Sequence, residues 1–261
     1  MNMQSQMVIL TKQEKQFIKS LKIKEVRQRE QLFIAEGSRL VNDLILTNPH
    51  LIHSIYGTKE WFENGSAKLQ HIYHSAKIIK DQELEQIAQL RTTTEVLGLF
   101  KTPLFNSPMY NSAPKIALFL DRISDPGNMG TIIRSCDWFG ISTLFVSPHC
   151  VDHYNSKCIQ ASMASIARVK VVEIPFTDLK TQLKNHVFYS TSPLVESQSN
   201  QIPEVTNKII CIGNEAHGLS DEIVKSCEAS LHITSEFSLG AESLNAAVSA
   251  AILLFKQIAK D

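Results

Sequence analysis

The sequence predicts an α/β protein: a mostly parallel sheet with helices on both faces, preceded by a smaller α/β module. Three observations carry this reading. From residue 115 onward, strand and helix signals alternate at regular spacing, the pattern of βαβ units. The strand candidates there are short apolar runs such as IALFL at 116–120 and KIICI at 208–212, as strands covered on both faces require. Between the halves, TPLFNSPMYNSAP at 102–114 holds three prolines and little periodicity. That stretch reads as a linker, separating a domain over 1–105 from one over 115–261.

The elements follow in order. A polar helix is expected over 12–21 and a short strand over 31–35 (QLFIA). Leu40, Val41, Leu44 and Ile45 have helical spacing within 38–47. A strand over 51–56, a helix over 81–90 and a strand over 96–100 close the first half. The second half opens with a strand over 116–120 and a helix over 128–139, stopped by Gly140. A strand at 143–146 precedes a helix over 155–168 rich in small residues, and a strand follows at 169–173. Thr177 is placed to cap a helix over 177–184. Strands at 187–190 and 208–212, a short helix at 219–225, a strand at 231–233 and a long helix over 243–260 complete the chain. No internal repeat or low-complexity tract interrupts it.

Composition narrows the function classes. Hydrophobic residues make up 43% and charged residues 20% of the 261, the balance of a globular protein. The longest apolar run, 246–255, is broken by Ser249 and falls short of the ~20 residues a membrane span needs. The start, MNMQSQMVILTKQEK, shows no signal peptide. Five cysteines without CxxC spacing suggest reduced thiols, so a cytoplasmic location is expected. His149, Cys150, Asp152 and His153 match no zinc spacing, and no metal is expected. Twenty-six basic residues balance 26 acidic ones, which excludes a chain-wide polyanion-binding field but not a local one. Lys12, Lys15, Lys19, Lys22, Lys24, Arg27 and Arg29 are opposed within 12–29 only by Glu14 and Glu25. That strip is either a solvated helix face or a phosphate-contacting surface.

Three stretches concentrate polar residues where a strand gives way to a turn or helix, the place where open α/β sheets put ligands. In DRISDPGNMGTIIRSCDWFG (121–140), Asp125-Pro126-Gly127-Asn128 is a turn signal after a buried strand. Arg134 is expected near the start of the following helix, beside freed backbone N–H groups that favour an anion. In CIGNEAHGLS (211–220), two glycines allow close backbone approach, and Glu215 offers a carboxylate at the sheet edge. In ESLNAAVSAAILLF (242–255), Ser243 and Asn245 open a helix that is apolar nearly all round. Such a helix must be buried in the core or against a partner, and Ser243 is a candidate cap. No Walker loop, GxGxxG or GxSxG motif occurs. These residues suit a site that orients and polarises a substrate rather than one built on a metal or a cysteine nucleophile.

Taken together and in this order, the three stretches strongly resemble the motifs of the SpoU/TrmH family of RNA 2′-O-ribose methyltransferases, over roughly 115–259. FIAEGSRLV (33–41) and TTTEVLGLF (92–100) resemble that family's N-terminal substrate-binding domain, a small α/β module like certain ribosomal proteins. The resemblance implies a C-terminal trefoil knot, S-adenosylmethionine as methyl donor, RNA as substrate and a homodimer. It also implies catalytic roles for Arg134, Asn128, Glu215, Ser243 and Asn245. Donor contacts are implied at Thr191, Ser192, Gly213, Asn214, Gly218, Ile233, Leu239 and Leu244. Lys12, Lys15, Lys19, Lys22, Arg27 and Arg29 are the candidate RNA contacts. One departure is Ala164, where relatives usually carry glycine.

The implied chemistry needs a ribose oxygen aligned with an activated methyl group and relieved of its proton. Alignment alone can contribute up to ~7–11 kcal/mol in ideal intramolecular cases. Arg134, engaged with an RNA phosphate, would serve as base or as electrostatic stabiliser. Its guanidinium is normally protonated (pKa above ~12), so the base role is the more demanding of the two. Ribosomal RNA is favoured over transfer RNA as the substrate. A non-catalytic RNA-binding protein of the same fold and a small-molecule α/β enzyme using a nucleotide are the alternatives.

Overall fold

Six short strands of the C-terminal half align side by side, the central ones apolar and buried and the two edge strands only partly so. They are β5 (Ile116–Leu120), β6 (Thr143–Val146), β7 (Lys170–Glu173), β8 (Val187–Thr191), β9 (Lys208–Ile212) and β10 (Ala229–Leu231). All pair in parallel, in the order β10-β8-β9-β5-β6-β7. The computed structural model describes residues 7–65, 76–90, 94–105, 115–191, 207–233 and 243–258. The chain divides into two units: Met1–Leu104 with Tyr154–Ala167, and Phe105–His153 with Arg168–Asp261.

In the second unit, helices follow the strands: α6 (Pro126–Trp138), α8 (Phe176–Gln182), α9 (Asp221–Ser226) and α10 (Ala246–Ile258). One face of the sheet packs Phe119, Phe145, Phe188, Ile209 and Cys211 against Phe176, Leu179 and Ile223 of α8 and α9. Strand residues alternate faces, so Leu118, Leu120, Ile210 and Ile212 look the other way, and α10 packs against α6 and β9. The chain steps outward from β5 to β6 and β7, then crosses to β8 and inserts β9 between β8 and β5. A reversal of this kind leaves a crevice at the carboxyl ends of the strands. Residues 121 and 213 are the first beyond β5 and β9.

The first unit holds β1 (Leu32–Glu36), β2 (Ile52–Gly57), β3 (Ala76–Ile78) and β4 (Val96–Lys101) in the order β1-β4-β2-β3. β4 pairs antiparallel with β1 and β2, while β2 and β3 are parallel. Around them lie α1 (Lys12–Ser20), α2 (Lys24–Glu30), α3 (Ser38–Thr47), α4 (Lys59–Asn64) and α5 (Asp81–Ile87). Ile18, Leu21, Leu32, Ile34, Tyr56, Leu84, Leu97 and Leu99 form one of its buried clusters. α7 (Ser156–Ser162) belongs to this unit too: it packs on β1, and Tyr154 stacks on Phe33 with ring centroids 5.4 Å apart.

Several expectations need correction. The single helix over 155–168 is instead α7 followed by a 3₁₀ segment, Met163–Ala167. Met163 takes φ 53°, which no α-helix accommodates, and Ala164 is fully buried beyond the break. Thr177 does not cap α8, which begins at Phe176 after Pro175. Nor does Ser243 cap α10. Asn245 does so, its Oδ1 accepting from the Ala247 and Val248 N–H groups at 2.9 and 3.3 Å. The sequence reading missed α2, α4 and β3, each too short to show a period. Most of the linker stretch, 106–114, lies outside the described residues. Among the described residues, no helix is long and apolar enough to cross a membrane.

Candidate active site

Three residues from the three motifs meet at the carboxyl edge of the parallel sheet. Asn128 lies in the first turn of α6, Glu215 in the loop after β9, and Asn245 at the cap of α10. Asn128 Nδ2 donates to Glu215 Oε1 at 2.6 Å, and Asn245 Nδ2 donates to Asn128 Oδ1 at 2.9 Å. A carboxylate only accepts and a helix N–H only donates, so the direction of this chain is fixed at both ends. The start of α10 donates to Asn245, Asn245 to Asn128, and Asn128 to Glu215. The last bond is charge-assisted and short, as such bonds are. Asn128 and Asn245 therefore have no freedom to flip their amides, and each keeps one N–H for another acceptor.

The loops that carry these residues are themselves tied down. Asp125 caps α6 by accepting from the Asn128 N–H at 2.7 Å, with Pro126 in the first helical position. Asn214 Oδ1 accepts from the Ala216 and His217 N–H groups, while its Nδ2 donates to the Arg122 carbonyl at 2.8 Å. Gly213 is needed for close approach within the protein: a Cβ there would overlap the Gly218 carbonyl carbon and the Leu219 nitrogen. Gly218 closes the same loop at φ 65° through reciprocal backbone bonds with Asn214. Asp121, 4% exposed, accepts from the Ser220 N–H at 3.0 Å and pairs with Arg122.

Arg134 stands elsewhere than the sequence placed it. α6 begins at Pro126, so Arg134 is its ninth residue, past the first turn in which the helix dipole acts. One of the N–H groups expected to favour an anion, that of Asn128, is spent on Asp125 instead. At 100° and 1.5 Å per residue, Arg134 lies roughly 9 Å along the axis from Asn128 and about 120° around it. It is exposed, with neither a hydrogen bond nor an ion pair among the described residues. Ser243 is also exposed, two residues before the capping Asn245.

The candidate donor contacts divide similarly. Thr191 ends β8 with its hydroxyl donating to the Cys211 carbonyl at 2.8 Å, and the side chain of Asn214 is occupied within its own loop. Ile233 is half-buried just beyond β10, and Leu244 is exposed beside the start of α10. Ser192 and Leu239 lie outside the described residues. Three thiols of this unit, Cys136, Cys150 and Cys211, are poor nucleophiles. Burial pushes Cys136 up to about 12 and holds Cys211 well above the usual thiol range. Cys150 is also raised, mainly by burial.

On the first unit the basic strip disperses. Arg27 is buried, its guanidinium donating to the Leu21 and Lys22 carbonyls at 2.7 and 2.8 Å to finish α1. Its candidacy for RNA is corrected accordingly. Lys15 is paired with Glu83 at 2.9 Å, and Arg29 with its neighbour Glu30 at 2.8 Å. Lys12, Lys19 and Lys22 remain exposed.

Two residues of the site were missed from sequence, Asp121 and Arg122. Their only signal was a charged pair set directly after an apolar strand.

Known proteins bear on this arrangement. The SpoU rRNA Methylase family matches residues 115–255, and an MRM3-like substrate binding domain matches 13–98. The 23S rRNA (guanosine(2553)-2′-O)-methyltransferase RlmP of Bacillus subtilis is 24% identical over 244 residues, spanning 91% of this chain and 92% of that one. A putative RNA methyltransferase of the TrmH family from Porphyromonas gingivalis is 27% identical with a TM-score of 0.78, covering 97% of this chain and all of the other (100%). The SpoU methyltransferase AviRb from Streptomyces viridochromogenes, solved with AdoMet, superposes with a TM-score of 0.79 at 20% identity, covering 96% and 98%. At that identity it speaks for the fold.

Proposed function

The chain belongs to the SpoU rRNA methylase family, and we propose that it transfers a methyl group from S-adenosylmethionine to a ribose 2′-hydroxyl of ribosomal RNA. The observation that carries this reading is the fixed chain Asn245–Asn128–Glu215, which joins all three motifs at the sheet's carboxyl edge. RlmP, alike over nine-tenths of both chains, is named for this reaction on 23S rRNA.

The residues present suit the donor. The crevice lies where β9 separates β8 from β5, and a loop whose Gly213 tolerates no Cβ borders it. Thr191, Ser192, Gly213, Asn214, Gly218, Ile233, Leu239 and Leu244 would hold the donor, with Thr191 and Asn214 contributing backbone rather than side chain. When bound, it supplies an already activated methyl group. The protein's task is then to hold the ribose. Asn128 and Asn245 each present a spare N–H in a fixed direction, and the second oxygen of Glu215 is open to accept a hydrogen bond from the hydroxyl. A ribose hydroxyl rather than a deoxyribose carbon is what such groups can recognise.

Arg134 is assigned an electrostatic role: its permanent charge holds an RNA phosphate and lowers the cost of negative charge growing on the ribose oxygen. A base role would require a neutral guanidine. Arg134→Lys keeps the charge and should keep much of the activity, whereas Arg134→Ala should lose it. Equal loss in both favours the base role, and full turnover in both removes Arg134 from the mechanism.

The first unit is assigned to RNA, through exposed Lys12, Lys19 and Lys22. The chain returns from β10 at one edge of the sheet to lay α10 against α6 and β9, a path compatible with a trefoil knot. Two copies are proposed to pair through α6 and α10, where Trp138 is 85% and Phe255 58% exposed alongside Val248 and Leu244. Apolar side chains gathered on packed helices mark a covered surface. A cytoplasmic location is part of the proposal, on the strength of the likeness to the bacterial enzyme RlmP.

The test is transfer of tritiated methyl from S-adenosylmethionine to ribosomal RNA, with calorimetry of the donor alone. Label appearing at a ribose 2′-oxygen supports the reading. Donor binding without transfer to any RNA would favour a non-catalytic RNA-binding protein, and no donor binding would end the proposal.

A further inference from the structure

We propose that Arg122 is a positioning residue of this site: it locks the 213–218 loop onto the carboxyl edge of β5 and so sets how firmly that loop holds the methyl donor. The inference rests on the proposed function for its donor half, and on geometry alone for its loop half.

Arg122 adopts φ 56°, one of three non-glycine residues among those described with positive φ. That region is ordinarily left to glycine or asparagine, because a β-carbon crowds the backbone there. Strain of this kind persists only where the surroundings over-determine the residue. At Arg122 they do. Its N–H donates to Ser147 Oγ at the end of β6, at 3.0 Å. Its carbonyl accepts from Asn214 Nδ2, at 2.8 Å. Its guanidinium donates to Asp121 Oδ2 at 3.1 Å and, from the far nitrogen, to the Gly218 carbonyl at 3.3 Å.

One residue thus joins the ends of β5 and β6 to both ends of the loop, at Asn214 and at Gly218. Asp121 completes the clamp by taking the Ser220 N–H. Glycine in this turn would relieve the backbone, yet it could not reach Gly218. An arginine here therefore trades backbone ease for its fork of donors. The loop it holds carries Glu215, so the same clamp fixes the partner of Asn128.

Arg122→Gly and Arg122→Lys separate this role from simple stability. In Arg122→Gly the relaxed backbone compensates for the lost guanidinium, and the melting temperature should stay near that of the wild type. Hydrogen exchange at amides 216–220, measured without ligand, should speed up by roughly tenfold as the loop opens locally. KM for S-adenosylmethionine should rise roughly five- to tenfold with the KM for RNA within about twofold, and kcat should fall far less than in Asn128→Ala, because Glu215 is loosened rather than lost. Arg122→Lys should fall between, since an ammonium keeps the charge beside Asp121 but not the planar fork that holds the donors in fixed directions.

Unchanged exchange, or an unchanged KM for the donor, in Arg122→Gly overturns the proposal. So does a uniform loss of melting temperature, kcat and both KM values in the two variants. Should the wild type transfer no methyl group, the function fails separately, and exchange at 216–220 still decides whether Arg122 holds the loop.

Discussion

Two regions of this protein treat charge and polarity in opposite ways. At the carboxyl edge of the parallel sheet, Asn128, Glu215 and Asn245 come from three separate motifs, the first and last more than a hundred residues apart, and join in one hydrogen-bonded chain. On the first unit, six of the seven basic residues of the 12–29 strip were candidates for one surface, yet they part ways. Arg27 turns inward, Lys15 and Arg29 pair with carboxylates, and Lys12, Lys19 and Lys22 face solvent. Nearness in sequence is therefore a poor guide to a shared surface on a helix, whereas strand ends bring distant residues together by the topology of the sheet.

The sharpest way to break the comparison is at Gly213. Alanine there should abolish transfer and cost about 1–3 kcal/mol of stability, because the loop must open to admit a methyl group. Urea unfolding beside the methyl-transfer assay checks both. A Gly213→Ala enzyme with normal activity would mean that the 213–218 loop has no part in the site.

Asn128→Ala should reduce kcat/KM roughly hundredfold, the usual cost of losing geometry around a reacting group, while the melting temperature moves by only a few degrees. Asn128 is the one residue bonded to both other members, so the loss should exceed that of Ser243→Ala, which takes no part in that chain of bonds.

Arg27→Ala tests the other region. It leaves the Leu21 and Lys22 carbonyls without their donor and should cost about 1–3 kcal/mol of stability, with RNA affinity unchanged once the protein is folded. Replacing Lys12, Lys19 and Lys22 together should do the reverse. Stability should hold, RNA binding should weaken, and the slope of log K against log salt should fall by about one for each phosphate that is no longer neutralised. The same outcome from both variants would erase the distinction drawn between buried and exposed members of the strip.

The smallest effect expected is a dependence on pH. Burial raises the Glu83 carboxyl, but the hydrogen bond from Lys15, the Leu10 N–H and nearby lysine charge together hold it below the usual carboxylate range. A lowered folded value means stability that is present above the ordinary carboxylate range and lost as pH falls through the lowered one. Glu83→Gln should therefore be less stable than the wild type by about 1–2 kcal/mol at pH 7. The gap should close in acid unfolding experiments near pH 3.

Much of this was legible in the sequence because apolar strands and turn residues speak locally. The six strands of the second unit come within two residues of their expected bounds, and the DPGN turn and the apolar final helix were both visible. What could not be read was whatever depends on the exact start of a helix or on tertiary packing. Arg134 was expected beside the N-terminus of α6, but the helix begins at Pro126, two residues earlier than the periodicity suggested, and Asp125 takes the N–H. Asn245 rather than Ser243 caps α10. The burial of Arg27 and the left-handed backbone of Arg122 leave no trace in composition or spacing. The assignment of 154–167 to the first unit is likewise a matter of packing, through Phe33 and Tyr154.

The central claim is that this sheet edge directs a methyl group to one ribose oxygen. It is tested most directly by mapping 2′-O-methyl groups across ribosomal RNA from a strain lacking the gene, with and without the wild-type and Asn128→Ala proteins restored. The account expects a single ribose to lose its methyl group, to regain it with the wild type and to stay bare with Asn128→Ala. A ribosomal RNA methylation pattern identical in all four strains, parent included, would contradict it.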